Sequence, residues 1–80
     1  MFSNRTDSGE NNLCGRRLAE LRKGRGLSQR ALADALQLIG LDLDKNAIQR
    51  IEAGKRFVTD IELAAFSRFF QVSCDVLLGL

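Results

Sequence analysis

Four polar residues, Lys45, Asn46, Gln49 and Arg50, fall at helical spacing within one short stretch, and their side chains carry the donors and acceptors needed to tell base pairs apart. From a helix lying in a DNA major groove, Asn and Gln can pair bidentately with adenine, and Lys or Arg with the acceptor edge of guanine. Taken alone, the set also fits the ordinary solvated face of a helix. Ser28 and Gln29 change that balance. Ser28 suits a helix N-cap, so the pair would place free N–H groups and a side-chain amide at a helix N-terminus, a ready phosphate site. Contacts of that second kind position a protein on a polyanion and carry no sequence information.

The elements that must hold these residues follow from the hydrophobic period. Residues 1–11 mix Ser, Asn, Asp and Gly without a period and are expected to form a flexible tail, with one helical domain over 12–80. A first helix is predicted from Asn12, with Cys14, Leu18 and Leu21 as its apolar stripe and Gly24 and Gly26 ending it. Ser28 opens a short second helix with stripe Leu32, Ala35 and Leu36. Asp44 opens a third, in which Ile48 and Ile51 are apolar while Lys45, Asn46, Gln49 and Arg50 face outward. Thr59 and Glu62 form a capping box for a fourth helix with stripe Leu63, Phe66, Ser67 and Phe70, and Ser73 caps a short fifth. No alternating strand pattern and no repeat occurs, so the predicted fold class is all-α: five short helices packed around Leu, Ile and Phe side chains.

Eighty residues, 45% hydrophobic, suffice for one modest core. No apolar run approaches the ~18 residues of a membrane span, and the polar start lacks the apolar centre of a signal peptide, so a soluble, cytoplasmic protein is expected. The net charge of +2 hides an uneven distribution: residues 16–56 hold ten bases and five acids, whereas 57–80 hold Arg68 against Asp60, Glu62 and Asp75. One face for a polyanion and another for something else would explain this; so would a solvated surface without further meaning. With no His, Tyr or Trp, no Gly-rich phosphate loop and no carboxylates at metal-ligand spacing, neither catalysis nor a cofactor, metal or small-molecule ligand is expected. Cys14 and Cys74 read as buried thiols in a reducing compartment, a disulfide staying open if their helices pack together. Phe69, Leu78 and Leu80 fall outside the core stripes and form either a self-association patch or a closure of the core.

Leu21-Arg22, Gly26-Leu27-Ser28-Gln29, Leu32-Ala33, Ile48 with Ile51-Glu52, Gly54-Lys55, and Val72-Ser73 before Leu77-Leu78 follow in an order and spacing that resembles the Cro/CI repressor (XRE) helix-turn-helix family over most of the chain. The resemblance implies a compact five-helix, lambda-repressor-like DNA-binding domain. It implies a sequence-specific transcriptional regulator, of repressor type, that binds double-stranded DNA as a homodimer. Lys45, Asn46, Gln49 and Arg50 would be its base-reading positions; Ser28, Gln29, Lys55 and Arg56 would hold phosphates; Arg22 and Glu52 would form an internal salt bridge between the first and third helices. Two departures stand out. Ser28 and Ile48 lie further apart than in the compact repressors, as in a subgroup with a lengthened turn, and the intervening Leu38, Ile39, Leu41 and Leu43 are expected to pack against the body. Ala53 stands where the family often has a polar or basic residue near a phosphate, so that only its backbone N–H could serve there, with the Arg56 fork as compensation. The same fold could instead capture a protein partner, in the manner of an antitoxin or anti-regulator, because fold alone does not fix function.

Overall fold

The computed structural model describes residues 4–80 and contains five helices: α1 (Gly15–Gly24), α2 (Gln29–Leu38), α3 (Lys45–Glu52), α4 (Asp60–Phe70) and α5 (Cys74–Leu78). Among the described residues there is no strand. Four helices begin at a short polar residue in extended backbone whose side chain accepts an amide three residues on: Ser28 from Ala31, Asp44 from Ala47, Thr59 from Glu62 and Ser73 from Val76. α1 begins at Gly15 and not at Asn12, because the Asn12 side chain is engaged across the fold. Its Oδ1 accepts the Gly15 amide at 2.8 Å, and its Nδ2 donates to the carbonyls of Ile51 at 3.0 Å and Arg56 at 2.8 Å. Asn12 thereby fastens the start of α1 to the end of α3. Gly15 permits this approach, since a Cβ there would run into the Ile51 carbonyl oxygen.

Leu18, Leu32, Leu36, Ile48, Ile51, Phe66 and Leu77 are fully buried, with α2 and α1 packed on α3, and α5 on α4 and α1. In α4, Phe66 and Phe70 enter the core while Leu63 and Ser67 are half-buried at its margin. The chain leaves α4 through Gln71 in the left-handed conformation, with the Ser67 hydroxyl donating to the Val72 carbonyl. Phe69 is half-buried, edge-on to Phe70 at 4.9 Å between centroids, and the Arg25 guanidinium lies 5.2 Å from its ring centroid. Leu78 is half-buried and Leu80 exposed.

The α2–α3 connection corrects one expectation. Leu41 and Leu43 are buried, but Leu38 is 89% and Ile39 44% exposed. Gly40, at φ 91°, turns the chain back, and the Leu43 amide then donates to the Leu41 carbonyl at 3.2 Å in a tight three-residue turn that leaves Asp42 outside between two buried leucines. Only the part of the insert beyond Gly40 reaches the body.

Within the expected tail, residues 1–3 lie outside the described residues, and Thr6–Glu10 close a turn in which the Thr6 amide donates to the Glu10 carbonyl at 2.8 Å. The Asn11 amide then donates to the Gly54 carbonyl at 2.8 Å, and the Glu10 side chain lies against Gly54, whose φ of 75° closes α3. Both cysteines are free thiols. Burial pushes the Cys14 thiol up to about 11, which leaves it without nucleophilic character at neutral pH. Among the described residues no helix is long and apolar enough to cross a membrane.

Candidate nucleic-acid interface

α3 buries Ile48 and Ile51 and exposes Lys45, Asn46, Gln49 and Arg50, as the helical period requires. Two open clefts flank these residues. One, of about 290 Å³, lies between α2 and α3 and is lined by Arg30, Ala33, Asp34, Gln37, Asp44, Lys45 and Asn46. The other, of about 400 Å³, is lined by Asn46, Gln49, Arg50, Ala53 and Lys55. Asn46 is common to both, so the two clefts form one continuous surface across α3. The second cleft brings three of the sequence-derived base-reading residues together with Lys55, and no carboxylate lines it.

What fixes α3 in place is a network at its C-terminal end. Arg22 Nε donates to Glu52 Oε2 at 2.7 Å, its NH2 to Glu52 Oε1 at 3.0 Å, and its NH1 to the Leu27 carbonyl at 2.8 Å. Both side chains are about nine-tenths buried, at 11% and 9% exposure. Donating its hydrogen bonds to Glu52 holds the guanidinium charged, against the opposing effect of burial. The same Glu52 Oε1 accepts Gln29 Nε2 at 3.0 Å, so the first residue of α2 joins α1 and α3 in one cluster. The Gln29 amide is thus turned inward and keeps one of its two N–H donors. Ser28, exposed, caps α2 through Ala31 at 3.0 Å, which leaves the amides of Gln29 and Arg30 without an intrahelical partner.

Arg56, expected to hold phosphate, also has an internal partner. Its NH1 and NH2 donate to Glu62 Oε1 and Oε2 at 2.9 and 3.0 Å, and NH1 also donates to the Phe57 carbonyl at 2.9 Å. A fork so engaged clamps the post-α3 loop to α4. The Ala53 amide likewise donates to the Gln49 carbonyl at 3.0 Å and is not free. Glu62 also has the capping-box role its spacing from Thr59 predicts: its Oε1 accepts the Thr59 amide at 2.9 Å. Its Arg56 partner stands six residues earlier across a non-helical loop, where helical spacing gives no signal.

The Arg56 hydrogen bonds hold the Glu62 carboxyl below the usual carboxylate range, with burial opposing. A depressed native pKa stabilises the fold above the unfolded pKa, and that contribution is lost as pH falls through the native one. Glu62→Gln is therefore expected to melt below the parent at neutral pH, with the gap narrowing as both are acidified through and below the ordinary carboxylate value of 4.5. A gap that stays constant over that range contradicts this assignment.

Residues 14–78 match the family described as Helix-turn-helix domain. No curated protein and no solved structure matches the chain. The matched span runs from the N-cap of α1 to the last residue of α5 and takes in both clefts. The chain accordingly belongs to the helix-turn-helix domain family, a DNA-binding fold.

Proposed function

We propose that this protein is a sequence-specific transcriptional regulator of repressor type, acting in the cytoplasm as a homodimer that inserts α3 into the major groove. The observation that carries the reading is the carboxylate-free cleft in which Asn46, Gln49 and Arg50 stand beside Lys55. Donor–acceptor side chains for base edges and a cation for the adjacent backbone are there on one surface. Lys45 extends the reading face toward α2. Phosphate positioning falls to Lys55, to the end of α2 at Ser28, and to the remaining N–H of Gln29. Arg56 keeps a structural role.

A dimer follows from the size of the reading element, because one short helix covers few base pairs and two half-sites a helical turn apart supply the specificity. The self-association patch contains Leu78 and Leu80. Leu78 borders a cleft of about 250 Å³ shared with Leu13, Val58 and Leu63, and the strongly exposed Leu13, Ile61 and Leu80 extend the apolar surface of these segments. Phe69 packs instead against Phe70 with Arg25 over its ring, and it does not line the cleft that Leu78 borders.

The exposed Leu38 and Ile39 favour a second reading, capture of a protein partner by the α2–α3 connection. Salt separates the two. Neutralising phosphates makes log affinity fall with log salt at about 0.9 per contact, so DNA binding is expected to weaken by orders of magnitude between 50 and 200 mM salt. Affinity for duplex that barely changes with salt sinks the DNA reading in favour of the protein partner.

A further inference from the structure

We infer that Asp34 of α2 is a further specificity-determining residue, which accepts a base amino group in the major groove beside the contacts of α3. The inference rests on the DNA-reading function proposed above. A duplex seated on Asn46, Gln49 and Arg50 continues through Asn46 into the α2–α3 cleft. The charges along that path differ. The outer cleft carries Arg50 and Lys55 and no acid, which suits phosphate, whereas the inner one sets Asp34 and Asp44 against Arg30 and Lys45, so its formal charges cancel and it has no net attraction for backbone.

The two inner carboxylates are not equivalent. Asp44 is committed to α3, its Oδ1 accepting the Ala47 amide at 2.8 Å. Asp34 is exposed and, among the described residues, its carboxylate takes part in no hydrogen bond or ion pair, although Arg30 stands one turn before it. An ionised carboxylate only accepts, and phosphate repels it. What the major groove offers a lone acceptor is an exocyclic amino group, and the carboxylate pairing is with cytosine N4. Across the same cleft, Lys45 supplies donors suited to guanine O6 and N7. Lys45 from α3 and Asp34 from α2 together complement the major-groove edge of a single G·C pair, guanine toward the lysine and cytosine toward the aspartate.

The test compares the parent chain with Asp34→Ala and Asp34→Asn by selecting bound duplexes from a random pool, then titrating the selected site and its single-pair variants. Asp34 is exposed, so the variants are expected to fold, which a thermal melt checks. The parent is expected to select a G·C pair in each half-site, and Asp34→Ala to lose that preference by about 5- to 150-fold while preferences elsewhere persist. Asp34→Asn is expected to move the preference toward A·T, since an amide pairs with adenine. Unchanged preferences overturn the assignment. So does tighter binding of all duplexes with a steeper salt dependence, which would place Asp34 against phosphate. A parent that enriches no sequence overturns the DNA reading itself, and this assignment with it, and is told apart because it appears without any substitution.

Discussion

Glu52→Ala is expected to destabilise the fold by about 3–5 kcal/mol, the cost of stranding a buried charge. Arg22 would lose the carboxylate that engages its Nε and NH2, keeping only the Leu27 carbonyl on NH1, and the Gln29 amide would lose its acceptor at the same time. A domain of this size is worth only about 4–12 kcal/mol in total, so the loss is a large fraction of its stability. At roughly 4–8 °C per kcal/mol the midpoint should fall by about 12 °C or more in a thermal melt. A double replacement of Arg22 and Glu52 by apolar residues of similar volume should recover much of that loss, because what is costly is the unpaired charge and not the absence of the pair. Equal melting of Glu52→Ala and the parent contradicts the assignment.

The second large effect separates reading from holding. Arg50→Ala is expected to relax sequence preference at one position of each half-site by about 1–3 kcal/mol, with little change in affinity for unrelated duplexes. Lys55→Ala, on the same cleft, should weaken all duplexes alike and lower the salt slope by about 0.9 per subunit. The two variants share a location and differ only in what their side chains meet, so competition binding against matched and mismatched duplexes distinguishes them. Full specific binding by both, at an unchanged salt slope, would remove α3 from the interface.

Where the physics is local, the chain could be read directly. Ser28, Asp44, Thr59 with Glu62, and Ser73 each stand within three residues of the amide they satisfy, and the four helix starts follow. The outward face of α3 follows from the inward placement of Ile48 and Ile51 in the same way. What local pattern does not carry is set by distant partners. Asn12 is held by carbonyls 39 and 44 residues away, and this delays the start of α1. Arg22 and Glu52 stand 30 residues apart, and it was the family resemblance, not any periodicity, that named them together. Arg56 gave no sign of its partner, which sits beyond a loop with no regular spacing.

The α2–α3 connection was the stretch most open to misreading, for a related reason. Four apolar residues implied burial, yet the insert changes conformation midway: Leu38 and Ile39 close a helix that points them outward, and Leu41 and Leu43 flank a tight turn after Gly40 that brings both inward. Period and turn had to be known together. For the clefts, residue types were legible and their grouping was not; that Asn46 joins the two, and that Asp34 faces Lys45 across one of them, depends on how α2 packs on α3.

Selection of bound duplexes from a random pool by the intact chain tests the central claim most directly, since the protein itself chooses among all sequences. If α3 reads bases from a two-fold dimer, the enriched sequences should converge on a palindrome with half-site centres about one helical turn, roughly 34 Å, apart. A pool that binds without convergence, or converges on a single unpaired half-site, contradicts it.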